Sequence, residues 1–239
     1  MPKNTDLPVM VITGTSKGLG HGLAQYYLTQ NYTVIGCSRG AGAIDTPGYH
    51  HYQVDVSDEK QVRQWIRAVK ESFKQIDVLI CNAGLATANR LLTATPGSVL
   101  EPMIKTNVFG TYYVCREVAK FMVLKGNGRI ITISSMAVGL HEEGTSAYSA
   151  SKSAVVEMTK ILAKELAHYG VTCNTVAPSM YESDALEALG AEVKDRALGK
   201  LTIKRVLTIE EIANTLSFFI SAKSSAITGQ VIYMGLVCE

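Results

Sequence analysis

The chain has 239 residues, of which 47% are hydrophobic and 18% charged, and its formal net charge is +2. This composition excludes a disordered chain, and the small net charge argues against a nucleic-acid-binding surface. No apolar run reaches the ~18 residues of a membrane span, and the start "MPKNTDLP" does not resemble a signal peptide. We therefore expect a cytoplasmic protein without membrane or nucleic-acid partners.

Short β-branched segments alternate with longer helical patterns along the chain. We predict strands at 8–13, 32–38, 51–56, 77–82, 128–134, 171–177 and 229–234. We predict helices at 18–30, 58–73, about 98–124, 147–169 and 208–221. Most strands are almost continuously apolar, as in a parallel sheet covered on both faces. The pattern predicts one α/β domain, residues 1–239, with a Rossmann-like, doubly wound parallel sheet of about seven strands and helices on both faces.

The five cysteines are odd in number and form no C-x-x-C pair (Cys37, Cys81, Cys115, Cys173 and Cys238). Three of them, Cys37, Cys81 and Cys173, fall in or beside predicted strands, which favours reduced, buried thiols in a reducing compartment. The five histidines show no metal-binding spacing. We predict no metal site.

A glycine-rich loop, "TGTSKGLG" at residues 13–20, joins the first strand to the first helix. Gly14 permits a sharp turn, and Gly18 and Gly20 are expected to let the backbone approach a pyrophosphate at the helix N-terminus. The spacing is G-x-x-x-G-x-G rather than the commoner G-x-G-x-x-G. Strand before and helix after favour a nucleotide phosphate site.

The second strand ends in "CSRG", residues 37–40, where an acidic residue would bind a ribose 2′-hydroxyl. No acid is present. Arg39 offers a planar fork for a 2′-phosphate, Ser38 a hydroxyl, and Lys17 a second cation. The sequence therefore predicts NADP(H), although two solvated surface cations are the alternative.

Tyr148 and Lys152 lie four residues apart in "AYSASKSAV", so they share one helix face. Their neighbours are small, which would leave room for a ligand beside them (Ala147, Ser149, Ala150 and Ser151). The alternative is that Tyr148 and Lys152 are an incidental pair on a solvent-exposed helix. Only the rest of the chain can distinguish this interpretation from a functional pair.

The sequence resembles the short-chain dehydrogenase/reductases over nearly its whole length, closest in pattern to the β-ketoacyl carrier-protein reductases. The resemblance is carried, in order, by "TGTSKGLG", "DV" at 55–56, "CNAG" at 81–84, "TNVFG" at 106–110, "ISS" at 133–135, "YSASK" at 148–152, "NTVAPS" at 174–179 and "ITGQVIY" at 227–233. It implies four catalytic residues: Asn107, Ser135, Tyr148 and Lys152.

The resemblance also assigns roles. Asn107 would disturb its helix and hold a water, Ser135 would bind the substrate oxygen, Tyr148 would exchange its proton, and Lys152 would bind the nicotinamide ribose. The implied cofactor-binding residues are Gly14, Ser16, Lys17, Gly18, Leu19, Gly20, Ser38, Arg39, Asp55, Val56, Asn82, Ala83, Gly84, Tyr148, Lys152, Pro178, Ser179 and Met180. Among them, Asp55 and Val56 would flank the adenine.

The Tyr148–Lys152 pair has a physical rationale as an acid–base unit. A free tyrosine, with a pKa near 10, is a poor catalyst at neutral pH. An ammonium within about 4–6 Å, together with an oxidised nicotinamide, would favour the phenolate. We therefore expect Lys152 to lower the pKa of Tyr148.

Two positions depart from the family pattern. Ser179 stands where the family usually has glycine, and we expect it to affect the backbone near the nicotinamide. The usual acid–glycine–glycine ending is here "MGLVCE", residues 234–239, which is expected to affect subunit contacts.

The segment 178–207 is either a lid over the site or an ordinary surface loop. Its apolar residues would suit an acyl chain, but packed faces of two short helices are the favoured interpretation (Met180, Ala185, Leu186, Leu189, Val193 and Leu198).

The leading functional hypothesis is an NADPH-dependent reductase of a ketone, with a 3-oxoacyl thioester as the best specific substrate. The alternatives are a sugar or polyol dehydrogenase working oxidatively and a non-catalytic NADP-binding regulatory protein. The resemblance also implies a homodimer or homotetramer that pairs helices 98–124 and 147–169. Apolar residues beyond one core-facing stripe motivate that pairing (Met103, Val108, Tyr112, Val155 and Met158).

Overall fold

The computed structural model describes residues 7–86, 89–187 and 190–237. Seven parallel strands form one sheet in the order β3-β2-β1-β4-β5-β6-β7. The strands are β1 (Val9–Thr13), β2 (Thr33–Ser38), β3 (Tyr49–Gln53), β4 (Val78–Cys81), β5 (Gly128–Ile133), β6 (Val171–Ala177) and β7 (Val231–Tyr233). The strand order reverses direction at β1, and ligands of doubly wound sheets bind at such a point.

The helices connect successive strands or extend from them. They are α1 (Gly18–Thr29), α2 (Glu59–Phe73), α3 (Gly97–Ile104), α4 (Thr111–Lys125), α5 (Ala137–Leu140), α6 (Ser146–Leu166), α7 (Asp184–Glu187), α8 (Ala191–Gly199) and α9 (Ile209–Ile220). A π-helical segment, Lys105–Gly110, separates α3 from α4. Short 3-10 turns occur at Leu92–Ala94, Ala167–Tyr169 and Ala222–Ser224.

Helix α2 shows how local sequence sets an element. Asp58 caps its N-terminus and accepts hydrogen bonds from the backbone amides of Lys60 and Gln61. The helix ends at Lys74, whose φ is 59°. Its apolar stripe is buried against the sheet (Val62, Trp65, Ile66 and Val69).

Two apolar clusters cover the two faces of the sheet. One joins the strands to α2, α4 and α6, and contains Trp65, Val118 and Leu166. The other joins the strands to α1 and α9, and contains Leu23 and Phe219. The predicted α/β class, with helices on both faces of a parallel sheet, is confirmed.

The third strand lies earlier than predicted. It covers Tyr49–Gln53 rather than 51–56, and each of its residues is half-buried or exposed because β3 is at the edge of the sheet. The apolar residues Val54 and Val56 that suggested a later strand belong instead to the loop beyond it, where both are buried.

Four cysteines are buried free thiols: Cys37, Cys81, Cys115 and Cys173. The fifth, Cys238, lies outside the described residues. Within the described ranges no helix is long and apolar enough to cross a membrane, and no cluster of histidine, cysteine or acidic residues could hold a metal ion.

Candidate active site

A cavity of about 670 Å³ opens at the carboxyl ends of β1, β2 and β4. Twelve of the predicted cofactor-binding residues line it: Gly14, Ser16, Lys17, Gly18, Leu19, Ser38, Arg39, Asp55, Val56, Asn82, Ala83 and Gly84. Seven further lining residues were not singled out for the cofactor from the sequence: Cys37, Val54, Leu85, Ala86, Thr106, Tyr181 and Ser183. Most of these adjoin a quoted motif, so extending each motif by one or two residues would have found them.

The glycine-rich loop folds back onto the end of β2. The amides of Gly14 and Thr15 donate to the Cys37 carbonyl at 2.8 and 3.1 Å. Gly14 and Gly18 have φ of 76° and 58°, and a Cβ on Gly18 would meet no atom within 4 Å. Gly18 therefore has open space beside its backbone, and the approach of a pyrophosphate there stays a prediction.

Gly20 serves packing rather than ligand approach. A Cβ at Gly20 would lie 2.3 Å from the Gly14 carbonyl oxygen and 2.4 Å from the Asn82 amide nitrogen. Gly20 does not line the cavity. The expectation that Gly20 lets a pyrophosphate approach is corrected. The absence of a side chain at Gly20 lets α1 pack against the glycine-rich loop and against Asn82 at the end of β4.

Asn82 and Thr13 join the ends of β4 and β1. The Asn82 side-chain amide donates to the carbonyls of Thr13 and Gly14, at 3.0 and 3.3 Å. The Thr13 hydroxyl in turn accepts from the amides of Asn82 and Ala83. These bonds hold the ends of β1 and β4 together at the wall of the cavity.

Asp55 and Val56 lie on the cavity wall after β3. The Asp55 carboxylate accepts from both the amide and the hydroxyl of Ser57, at 2.9 and 2.7 Å. The carboxylate is thus held in place at the wall that was predicted to flank the adenine.

Lys17 and Arg39 are exposed at the cavity rim. Among the described residues neither forms an ion pair. Ser38 differs from expectation, because its buried hydroxyl donates to the Gly40 carbonyl at 2.9 Å. Ser38 therefore shapes the turn that carries Arg39, and its hydroxyl proton is already engaged.

Asn107 lies inside the π-helical segment Lys105–Gly110, so the expected disturbance of the helix is present. Its side chain accepts from the Leu85 amide at 2.7 Å and donates to the Leu85 carbonyl and the Ser151 hydroxyl, both at 2.9 Å. Its backbone carbonyl accepts from Thr111 at 2.7 Å. The fully buried side chain thereby ties α6 to the loop after β4.

Tyr148 and Lys152 lie on α6, and Ser135 follows β5. The Lys152 ammonium is buried and donates to the Ile133 carbonyl at 2.8 Å. Gly84, which lines the cavity, leaves room for it, since a Cβ on Gly84 would lie 3.2 Å from Lys152 Nζ and 3.3 Å from Asn107 Oδ1. Lys152 and Asn107 thus meet at Gly84, although neither they nor Ser135 and Tyr148 line the cavity.

Burial dominates the acid–base properties of this group. It lowers the pKa of Lys152 to about 8, because an ammonium removed from water is destabilised. Burial also raises the pKa of Tyr148, while a hydrogen bond with Ser135 acts in the opposite direction. The expectation that Lys152 lowers the pKa of Tyr148 is not met here: Lys152 Nζ is 6.0 Å from the Tyr148 ring centre and bonds elsewhere.

Pro178, Ser179 and Met180 follow β6 and do not line the cavity. Ser179 is buried, and its hydroxyl has no hydrogen-bond partner among the described residues. A Cβ on Gly235, whose φ is 78°, would lie 2.7 Å from that hydroxyl. The two departures from the family pattern, Ser179 and the altered tail, therefore meet in space.

The segment 178–207 contributes Tyr181 and Ser183 to the lining of the cavity. Tyr181 pairs with Leu207 in a parallel bridge, and Tyr181 lines the cavity. Met180 and Leu186 are buried, Leu198 is half-buried, and Val193 is exposed. Since α8 has no buried residue, the interpretation as packed helix faces is wrong for α8; Leu189 and the Ala185 side chain lie outside the description.

Residues 14–235 match the family model described as enoyl-(acyl carrier protein) reductase. The chain belongs to the short-chain dehydrogenase/reductase family. It is 32% identical over 234 residues to the 3-oxoacyl-(acyl-carrier-protein) reductase FabG of Staphylococcus epidermidis, covering 94% of this chain and 96% of that protein. It is 33% identical over 230 residues to the FabG of Buchnera aphidicola, covering 94% of each.

Solved structures show the same likeness. The structure described as ElxO with NADP bound has a TM-score of 0.89 and 29% identity, over 95% of this chain and 97% of that one. A short-chain dehydrogenase/reductase from Mycobacterium ulcerans has a TM-score of 0.87 and 25% identity, over 95% of this chain and 88% of that one. The resemblance inferred from the sequence motifs is confirmed.

Proposed function

We propose that this protein is an NADP(H)-dependent reductase that converts a ketone to an alcohol. The observation that carries the proposal is a cavity lined by Lys17, Arg39 and Gly84 that adjoins the predicted catalytic group. Lys152 Nζ lies next to Gly84, and Tyr148 lies beside Lys152 and shares a hydrogen bond with Ser135. The side chains of Lys17 and Arg39 are exposed.

The residues of the cavity fit a nicotinamide dinucleotide that carries a 2′-phosphate. Gly18 leaves open space at the N-terminus of α1, where a pyrophosphate is favoured by the helix dipole. The exposed side chains of Lys17 and Arg39 are cations suited to a phosphate. An NADP-bound structural relative supports the same cofactor.

The reduced cofactor would supply a hydride to the carbonyl carbon, and this chain would supply the rest. Ser135 would donate a hydrogen bond to the carbonyl oxygen. Tyr148 would transfer its phenolic proton to that oxygen, which completes the alcohol. Burial raises the pKa of Tyr148, which favours the protonated phenol that a proton donor needs.

Lys152 and Asn107 would support that proton transfer. The buried ammonium of Lys152 would bind the nicotinamide ribose and stabilise the phenolate that Tyr148 leaves behind. Asn107 holds α6 against the loop after β4 through its contacts with Leu85 and Ser151. The distance between Lys152 and Gly84 therefore depends on Asn107.

The proposed substrate is a 3-oxoacyl thioester. Support comes from relatives of 32–33% identity that are 3-oxoacyl-(acyl-carrier-protein) reductases. The apolar residues at the cavity mouth, such as Leu85 and Tyr181, agree with an acyl chain. Acyl thioesters, small ketones and polyols, each offered with NADP(H) and NAD(H), would test this by nicotinamide absorbance. Turnover of polyols alone, or of none, would overturn the proposed substrate.

We also propose that the protein is a homodimer or homotetramer. The motivating residues need correction, since Met103 and Val155 are fully buried in the monomer core. The exposed large apolar residues of the ranges 98–124 and 147–169 are Leu100, Phe109, Tyr112, Leu124, Ile161 and Tyr169. Three of them, Phe109, Tyr112 and Ile161, would form the subunit contact, and a monomer by light scattering at micromolar concentration would refute it.

A further inference from the structure

A chain of hydrogen-bonded side chains runs across the edge of the sheet, from the glycine-rich loop to the turn after β2. The Thr15 hydroxyl lies 2.7 Å from the Tyr49 hydroxyl, which lies 2.8 Å from Nδ1 of His51. The other ring nitrogen of His51, Nε2, lies 3.0 Å from the Gly40 carbonyl oxygen. None of the motifs that identify the family contains Tyr49 or His51.

The direction of these bonds follows from the chemistry of the groups. A carbonyl oxygen only accepts, so Nε2 of His51 carries a proton and donates it to Gly40. In the neutral ring Nδ1 then accepts from the Tyr49 hydroxyl, whose oxygen accepts from Thr15. Every polar group along the chain is satisfied, which makes one arrangement favourable.

Two glycines provide the space that this chain occupies. A Cβ on Gly36 would lie 2.3 Å from the Tyr49 hydroxyl and 2.4 Å from that of Thr15. A Cβ on Gly42 would lie 2.6 Å from the ring of His51. The backbone on both sides is thus fitted to the two side chains.

Each of the three backbone carbonyls of the turn at residues 38–40 accepts at least one hydrogen bond. Ser38 accepts from the Val54 amide, and Arg39 from the Gln53 side chain, both at 2.8 Å. Gly40 accepts from His51 and from the Ser38 hydroxyl. The turn is fixed, although the Arg39 side chain that it carries is exposed.

We propose that His51 is a positioning residue that sets the preference for the 2′-phosphate of NADP(H). This inference rests on the proposed function. The chain through Tyr49 joins the loop that bears Lys17 to the turn that bears Arg39, so it sets the spacing of the two cations. A cofactor without the 2′-phosphate does not depend on that spacing.

Two substitutions test the roles of the two ring nitrogens of His51 separately. In His51→Gln the longer side chain can place an amide donor near Gly40, replacing Nε2. In His51→Asn the shorter side chain can meet Tyr49 but not Gly40. We expect His51→Asn to lower the affinity for NADPH and for 2′,5′-ADP by about tenfold and the affinity for NADH by less than about twofold. His51→Gln is expected to retain most of the preference for NADPH over NADH.

Binding is measured by isothermal titration calorimetry without a substrate, so the result does not depend on turnover. His50 supplies the matched control, because it is adjacent on the same strand and its ring packs against Phe73 at 4.9 Å between centres. His50→Gln is expected to lower the thermal midpoint without changing the NADPH to NADH ratio. Tyr49→Phe breaks the link to Thr15 but leaves the bond from His51 to Gly40, so it is expected to lower the NADPH to NADH affinity ratio by less than His51→Asn.

The outcomes distinguish the two proposals. Selective loss of NADPH and 2′,5′-ADP affinity, with rescue in His51→Gln, supports the role of His51. Equal loss of NADPH and NADH in His51→Asn, or an unchanged ratio in folded His51→Asn and Tyr49→Phe, overturns it and leaves the proposed function standing. An unmodified protein that binds NADPH no better than NADH overturns both.

Discussion

The site has a buried end, where the charge of Lys152 is enclosed next to Gly84, and an exposed end, where Lys17 and Arg39 line the cavity with side chains that reach solvent. Burial lowers the pKa of Lys152 to about 8. Its ammonium donates a hydrogen bond to the Ile133 carbonyl. The exposed cations reach solvent, and their positions depend on the backbone beneath them. A buried charge acts strongly over a short distance, whereas exposed charges are weakened by water and salt.

The largest expected effect concerns the buried end. Tyr148→Phe removes the proton donor and leaves the ring and its packing unchanged. We expect the rate constant of reduction to fall by at least ~10²-fold, with NADPH binding largely retained. Steady-state kinetics and calorimetry measure the two. Near-normal turnover in this variant would show that another group donates the proton.

The next effect concerns the exposed end. Arg39→Asp replaces one exposed cation with a carboxylate that would bind a ribose hydroxyl and repel a phosphate, and it leaves the buried Ser38 in place. We expect the ratio of kcat/KM for NADPH to that for NADH to fall by about 10²-fold. If the unmodified protein uses both cofactors equally, Arg39 does not meet the phosphate and the exposed end has no role in cofactor choice.

A pH series sharpens the contrast. Lys152 is protonated below its pKa of about 8 and neutral above it. Because kcat/KM reports the free enzyme, its value for NADPH is expected to fall by about tenfold per pH unit above pH 8. A flat profile to pH 9.5 would contradict the need for a charged Lys152.

Stability should change in the opposite direction over the same range. The pKa of Lys152 is lowered in the folded state, so between about pH 8 and 10 the unfolded chain binds more protons. The penalty of burying this charge is therefore present below pH 8 and is relieved as the pH rises. Thermal midpoints of the unmodified protein relative to Lys152→Met should show that difference. Parallel curves would mean that water reaches the ammonium.

The smallest expected effect is that of salt. Raising the salt concentration from about 0.05 to 0.5 M shortens the screening length, so binding of NADPH should weaken by several-fold more than binding of NADH. The rate constant at saturating cofactor should change little, because Lys152 is buried. Equal salt effects on both cofactors would show that the exposed cations do not favour the phosphate.

Local patterns in the sequence predicted most of the fold. The spacing of Val62, Trp65, Ile66 and Val69 gave α2 its buried face, and Asp58 marked its start. The third strand was misplaced because an edge strand has no continuous apolar run, whereas the apolar residues Val54 and Val56 follow it.

The site was less predictable where tertiary contacts decide the chemistry. The sequence located Ser38, but its hydroxyl bond to Gly40 depends on the folded turn. The spacing of four residues in the sequence predicted that Tyr148 and Lys152 share a helix face. The direction in which the pKa of Tyr148 shifts depends instead on burial, which only the folded structure shows. No sequence pattern marked His51, because its bonds to Ser38 and Gly40 form only when β3 pairs with β2.

The four buried thiols have a consequence for chemical labelling. Burial raises the pKa of Cys37 to about 12 and also raises that of Cys173. The hydrogen bond with Cys115, together with burial, raises the pKa of Cys81, so thiolates are scarce while the sheet is closed. Alkylating reagents attack thiolates in contact with solvent. Cys37 and Cys81, at the carboxyl ends of β2 and β4, would therefore react only when the sheet opens near the cavity. The rate of alkylation of Cys37 and Cys81 would therefore measure how often the sheet opens near the cavity. A bound cofactor would lower that rate.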